Sequence, residues 1–327
     1  MRSIMTKSNL DLINECDVFP YPPTAAYTSL ISTLYTLISP SGTPIGYLTE
    51  PIFNALAKVP SSLKGELEVS HISRTVLAFQ QPTERERSAA VAATCAYWRT
   101  HDKFAVLKGW RDELYPVYDL DNKLLFSVER SASCLFGVVT YGVHMMAYTR
   151  DENASYGMKI WVARRAKTKQ TYPGMLDNTV AGGMATGEEP LESIVRECAE
   201  EASLPEDLVR ANIKAQGTVT YSYIREGRAG GETGLLQPEC QYIFDLELPK
   251  ETICRPNDSE VEGFVLWSVE EVKEALGRGE FKPNCAVVVL DFFVRKGILT
   301  VENERNYEEV VKRLHRELEF PGPHKLT

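Results

Sequence analysis

Apolar and polar positions change period several times along the chain, and each change marks an element. Asp11–Asp17 predicts a short amphipathic helix, ended by the Pro20–Pro23 cluster. PIGYLTEPIFNALAKVP reads as a strand, a turn and a helix beginning at Pro51, with Ile52, Leu56 and Val59 spaced for burial. Thr83 followed by Glu86 has the form of a capping box, and the helix behind it carries Ala90, Val91, Thr94 and Tyr97 as one stripe. VYDLDNKLLFSVERSAS gives strand, turn and strand. Val138–Tyr148 and YGMKIWVARRAKTK are further strands, and a short one near Thr179–Gly182 follows the turn pairs Pro173-Gly174 and Asp177-Asn178. Gly217–Tyr223, Glu239–Leu248 and Val261–Ser268 complete the strands. Ser268 and Glu271 cap a helix over Val269–Gly277, FKPNCAVVVLDFFVRKG is a long apolar helix, and Tyr307–Leu318 is amphipathic. Strands and helices in mixed order predict an α/β/α sandwich with a mixed sheet for residues 136–327, preceded by a smaller α/β domain over residues 1–135.

The most distinctive stretch is Gly182–Leu204, where a glycine-rich turn feeds a helix carrying Glu197, Glu200 and Glu201. At about 100° per residue, Glu200 and Glu201 lie about −60° and +40° from Glu197, so the three share a face. Leu191, Ile194, Val195, Cys198 and Ala202 form another face, the one to bury. Three neighbouring carboxylates repel unless a cation sits among them, and hard oxygen donors suit Mg²⁺ or Mn²⁺. Gly182 and Gly187 have the spacing of a phosphate loop, but Glu188 and Glu189 stand where that loop needs Lys and Ser/Thr. A negative turn holds phosphates only through bridging cations, which points to metal-assisted chemistry on a diphosphate. No GxGxxG precedes a helix, so a dinucleotide fold has no support.

Composition narrows the classes. Apolar content of 43% and charged content of 25% describe a globular chain, and a formal charge of −9 offers no footprint for nucleic acid or an anionic membrane. Seven cysteines without CxxC pairs fit reduced thiols and a cytoplasmic setting. The opening MRSIMTKSNLDLINECDVF lacks a signal-peptide pattern, and no apolar run is long enough to span a membrane. The basic run Arg164, Arg165, Lys167 and Lys169 is either a solvated hairpin tip or a set of cations for phosphate oxygens. Trp98 and Trp110 are either core aromatics or part of a wall stacking on a substrate ring.

The stretch resembles the box of the Nudix hydrolases: Gly, five residues, Glu, seven residues, Arg-Glu, an apolar residue, any, Glu-Glu, any, Gly, apolar. It matches at Gly182, Glu188, Arg196, Glu197, Cys198, Glu200, Glu201 and Leu204, and departs at Ser203, where the pattern has the glycine that ends the helix. Ser203-Leu-Pro-Glu206 reads instead as a capping box for a following helix. The phrases WVARR (161–165), YPGMLDNTVAGG (172–183), EEASLP (200–205), CRPNDSEVEGF (254–264) and FKPNCAVVVLDFFVRKG (281–297), with GYL near Gly46, are similar to a eukaryotic Nudix subfamily tied to thiamine metabolism. Its members carry an N-terminal extension, and some are fused to thiamine pyrophosphokinase.

The resemblance implies a Nudix sandwich and hydrolysis of thiamine diphosphate and, preferably, of its oxidised or oxo analogues, to monophosphate and phosphate. Mg²⁺ or Mn²⁺ would be held by Glu197, Glu200 and Glu201 with a backbone carbonyl of Gly182 or Gly183. Arg196 would orient Glu200 by an i,i+4 pair, Glu188 would support the loop, and Glu260, rather than Glu262, would supply a further ligand or the base. Substrate contacts would fall on Arg164, Arg165, Trp98 and Trp110, with the ring between the two domains. The partner is a small-molecule diphosphate, with neither nucleic acid nor membrane. A hydrolase of nucleoside-diphosphate compounds, a prenyl diphosphate isomerase and a non-enzymatic binding module on the same fold remain open at this level.

Overall fold

A computed structural model describes residues 6–325. Residues 1–5 and 326–327, with the outer ends of the two expected domains and the first residues of the opening stretch, lie outside the described residues. Ser8 and Asp11 cap the first helix reciprocally, α1 (Asn9–Cys16). There follow α2 (Ala25–Ile31), β1 (Tyr35–Ile38), β2 (Pro44–Leu48), α3 (Glu50–Ala57), α4 (Ser61–Lys64), β3 (Glu68–Ser70), β4 (Thr75–Leu77) and the long α5 (Glu84–Thr100). A hairpin of β5 (Leu114–Tyr118) and β6 (Leu124–Glu129) and the short α6 (Ser133–Phe136) end this part. The first four strands form a sheet in the order β2-β1-β4-β3, with β1 and β4 parallel. Its core joins Leu37, Leu48 and Val76 to Leu56 of α3, Val91 of α5 and Phe126 of the hairpin.

Thr83 and Glu86 close the expected capping box on α5. The buried stripe runs through Val91, Thr94, Cys95 and Trp98, not Tyr97, because three- and four-residue steps from Val91 arrive at Trp98.

The larger part contains β7 (Thr140–Arg150), β8 (Met158–Arg165), β9 (Leu176–Asp177), β10 (Val180–Gly183), α7 (Pro190–Ala202), α8 (Glu206–Asn212), β11 (Ile213–Ile224), β12 (Leu236–Glu247), β13 (Val261–Ser268), α9 (Val269–Gly277), α10 (Pro283–Arg295) and α11 (Tyr307–Leu314). Strands run β11-β12-β7-β8-β13, with β10 on the first half of β7 and β9 on β8. Only β7 and β12 are parallel there, so the sheet is mixed. Alternation sorts its residues between two layers. Val143, Met145 and Ala147 meet Ile194, Val195 and Cys198 of α7. Met146 and Tyr148 meet α9, α10, α11 and also α1, whose Leu12, Ile13 and Cys16 are buried in that core. The expected sandwich is present, with α1 docked on its far layer.

Two expectations at helix ends are corrected. Ser203 takes the left-handed conformation itself (φ 55°, ψ 30°) and donates its N–H to the Cys198 carbonyl, so it stops α7. Pro205, without a side-chain cap, starts α8, and the Ser203–Glu206 capping box does not form. α11 ends at Leu314 rather than Leu318, because Arg316 is needed elsewhere: its N–H donates to the Thr220 carbonyl and its buried guanidinium to Asp17 and the Phe19 carbonyl.

Candidate active site

The strand β10 positions everything around it. Ala181 and Gly183 face one side, Gly182 the other, by the period of two. A Cβ on Gly182 would stand 2.2 Å from Glu197 Oε1, and one on Gly183 would stand 1.9 Å from the Tyr115 hydroxyl. Two glycines therefore let α7 and the β5–β6 hairpin close on the strand from opposite sides. The hairpin also buttresses the following loop: Thr186 N–H donates to the Leu114 carbonyl at 2.8 Å, and its hydroxyl to Ser127 at 3.0 Å. Glu188 braces the same loop by accepting from Ala185 N–H and the Ser193 hydroxyl. Ser193 takes the inward place in the first turn of α7, which leaves Leu191 exposed, contrary to its expected place in the buried face.

The three glutamates of α7 divide by environment. Glu197 is mostly buried, and burial raises its carboxyl above the ordinary range. Glu201 is buried; burial first and the Asp177 carboxylate second push it well up, against a hydrogen bond from Ala181 N–H at 3.1 Å. Glu200 is half exposed at the rim. Arg196 stands among carboxylates, 2.8 Å from Glu200, 3.1 Å from Glu197 and 3.1 Å from Glu188. Across from α7, Asp258 and Glu260 each bring a carboxylate oxygen to within 4.8 Å of one on Glu201 and of each other. Glu260 pairs with Lys169 and lies 3.6 Å from Arg111, whereas Glu262 turns outward to Lys167 at 3.8 Å.

The oxygen donors of this cluster are carboxylates. A buried carboxyl such as Glu201, raised by burial and then by the Asp177 carboxylate, is the state expected of a group whose charge a cation would offset. The residues fit Mg²⁺ or Mn²⁺, both of which take hard oxygen ligands.

A cavity of about 500 Å³ opens beside this cluster. Glu197, Gly182, Gly183 and Glu260 line it, with Arg165, Lys169, Arg111 and Arg130 among its cations. Alternation on β8 turns Arg165 inward and Arg164 outward. Arg165 is locked by Asp177 at 2.6 Å and by the Thr171 and Tyr172 carbonyls, while exposed Arg164 donates to the Gly174 carbonyl outside the cavity. Burial alone would raise Asp177, but Arg165 and Lys282 outweigh it and hold that carboxyl well below its usual range.

Neither tryptophan lines the cavity. Trp98 is fully buried in the N-terminal core, its indole N–H toward the Ala55 carbonyl and its ring against Phe104. Trp110 packs under Arg99 and donates to Asp112. Its sequence neighbour Arg111 enters the cavity instead. The aromatic lining is Tyr115, Tyr141, Tyr172, Tyr221 and Tyr223. Sequence reading passed over Arg111, Arg130 and Tyr115, for which no spacing signal exists. It also passed over Asp258, which sits inside the phrase CRPNDSEVEGF.

Known proteins match both parts of the chain. The family model described as NUDIX domain matches residues 140–285, and one described as Domain of unknown function (DUF4743) matches residues 40–140. The chain is similar to an uncharacterized protein of Saccharomyces cerevisiae, YJR142W, at 36% identity over 318 residues, covering 96% of this chain and 92% of that one. Two Arabidopsis thaliana proteins, Nudix hydrolase 20, chloroplastic, and Nudix hydrolase 24, chloroplastic, are 35% and 31% identical over 73% and 75% of this chain. The chain spans 60% and 62% of the length of those two.

Proposed function

The chain belongs to the Nudix hydrolases, and on that premise we propose that it hydrolyses the diphosphate of thiamine diphosphate, or of its oxidised or oxo analogues, to monophosphate and phosphate. The observation that carries this reading is one cavity lined both by acidic and basic side chains and by five tyrosines. The phrases shared with the thiamine-linked subfamily support it along most of residues 136–297. In this reading residues 1–135 are an extension domain on a hydrolase domain of residues 136–327, and the substrate lies between them.

Glu197, Glu200 and Glu201 with the Gly182 carbonyl would hold Mg²⁺ or Mn²⁺. That ion supplies charge neutralisation at the phosphate oxygens and acidification of water. Arg165 and Lys169, with Arg111 and Arg130 from the extension, bind the remaining phosphate charge. Because Asp177 and two carbonyls fix Arg165, its direction is set before substrate arrives. Arg196 keeps Glu200 and Glu197 in place. Glu260, at the cavity wall between Lys169 and Arg111, accepts the proton of the attacking water.

The test is a panel with Mg²⁺: thiamine, oxothiamine and oxythiamine diphosphates against ADP-ribose, NADH and isopentenyl diphosphate, scored by monophosphate release. The thiamine-type compounds should have the highest kcat/KM. A higher kcat/KM for ADP-ribose or NADH would overturn the substrate assignment.

A further inference from the structure

Tyr115 reaches the cavity from β5 of the N-terminal part, and its hydroxyl differs from those of the other cavity tyrosines. The Tyr172 and Tyr223 hydroxyls bond each other, Tyr221 donates to Glu239, and Tyr141 bonds His324. Tyr115 is only 6% exposed and lines the cavity, yet among the described residues its hydroxyl has no hydrogen-bond partner. Burial raises this phenol above its ordinary range, so the group is neutral and keeps its proton to donate. A buried tyrosine hydroxyl normally finds an acceptor, and leaving it without one costs free energy that a ligand acceptor recovers.

Strand register locates the donor. Ala181 pairs with His144 and Gly183 with Gly142 on β7, so these four residues share one face of the sheet, and all four line the cavity. The Tyr115 hydroxyl stands over that face at Gly183, where a Cβ would be 1.9 Å from it. The preceding residue, Gly182, abuts Glu197 just as closely. Arg130 serves both neighbours: its guanidinium lies 5.5 Å from the centre of the Tyr115 ring and within electrostatic range of Glu197. Arg111 is in turn within range of Tyr115, Arg130 and Arg165. Glu113 holds Arg130 at 2.8 Å and Asp177 holds Arg165 at 2.6 Å, which fixes two of these three guanidinium groups in direction. An acceptor that enters beside the hydroxyl meets all three, so an anionic acceptor is favoured there.

We propose that Tyr115 is a substrate-contacting residue contributed by the extension: its hydroxyl donates to a phosphate oxygen of the diphosphate bound beside Gly183. The inference rests on the hydrolase reading above, but not on the identity of the ring that carries the diphosphate. The active site is then shared between the two parts of the chain. The β5–β6 hairpin and its flanks bring Arg111, Tyr115 and Arg130 to one side of the phosphates, and β10 and α7 bring Gly182, Gly183 and Glu197 to the other. Gly183 matters to the contact because any side chain there would take the place of the hydroxyl.

The probe is methylenediphosphonate with Mg²⁺, a diphosphate analogue that carries no ring and resists hydrolysis. Calorimetry compares wild type, Tyr115→Phe and Tyr118→Phe, the last on the same strand but outside the cavity lining. Tyr115→Phe should raise Kd about tenfold or more, as expected for the loss of a hydrogen bond to a charged acceptor. Its kcat/KM on the best diphosphate of the panel above should fall about 10- to 100-fold. Its Tm without ligand should not drop, because the hydroxyl leaves no partner behind. Tyr118→Phe should match wild type in Kd and kcat/KM. An unchanged Kd in Tyr115→Phe would overturn the inference. So would a rise in Kd that comes with a lower Tm of the free protein, since that marks a packing role. Because the probe has no ring, the thiamine assignment can fail in the panel while this binding comparison still decides the contact. A wild type that does not bind the probe would refute it.

Discussion

Replacing Gly182 by alanine tests how closely β10 and α7 fit and whether Glu197 serves the reaction as proposed. The added Cβ would stand 2.2 Å from Glu197 Oε1, 2.3 Å from its Cδ and 2.6 Å from its Cγ. Ordinary contact begins near 3.4 Å, so the carboxylate must retreat by about 1.2 Å (3.4 − 2.2) or the strand must move. Glu197 has little room to comply, since its side chain is 13% exposed and tied to Arg196. Misplacing a catalytic group by about 1 Å costs on the order of 10²-fold in rate, equivalent to about 2.7 kcal/mol of transition-state stabilisation. The assay is kcat/KM over an Mg²⁺ titration, with Mn²⁺ binding followed by calorimetry. We expect kcat/KM to fall about 10²-fold and the metal requirement to rise. Gly227→Ala, where the new Cβ meets nothing within 4 Å, serves as the control and should behave as wild type. Activity and Mn²⁺ affinity within threefold of wild type in Gly182→Ala, against the roughly 10²-fold expected, would refute the assignment of Glu197.

Other outcomes follow from neighbouring contacts. Gly183→Ala should destabilise by about 1–3 kcal/mol by overpacking against Tyr115, and adding Tyr115→Phe should recover part of it, since the hydroxyl is the nearest atom; additive losses in chemical denaturation would speak against that contact. Ser203→Gly should raise stability by up to about 1 kcal/mol by relieving a left-handed serine, with kcat/KM unchanged; a tenfold change in kcat/KM would show that this turn shapes the site. His144, hydrogen-bonded to Asn178 and held down to about 4 chiefly by burial, gives a pH signature. Between its unfolded value near 6.5 and about 4, the unfolded chain binds the proton first. Stability therefore falls with pH across that window, by about 3 kcal/mol in all, and the loss levels off below it. His144→Asn should show a shallower decline from pH 7 to pH 4.5 than wild type, and equal slopes would exclude the effect.

What the chain determined by itself was local and periodic. The capping boxes at Thr83 and Ser268, the strand Val261–Ser268 and the helix Val269–Gly277 stand where their patterns put them, because caps and alternation involve residues a few positions apart. Glu197, Glu200, Glu201 and Arg196 were legible for the same reason, being spaced along one helix. Tertiary structure decided which of them are buried. The face that angular spacing draws as one is split, with Glu201 turned inward onto Ala181 and Glu200 left at the rim, because β10 covers only part of it. It also decided which aromatics meet the cavity. Trp98 is taken by a core that needs its volume, while Tyr221 and Tyr223 arrive on strands that pass the opening. Arg111, Arg130 and Tyr115 were invisible because they reach the site from a hairpin more than fifty residues upstream of Gly182. No periodicity within either segment encodes that they meet: the meeting depends on two glycines thin enough to let a helix and a hairpin close on the same strand.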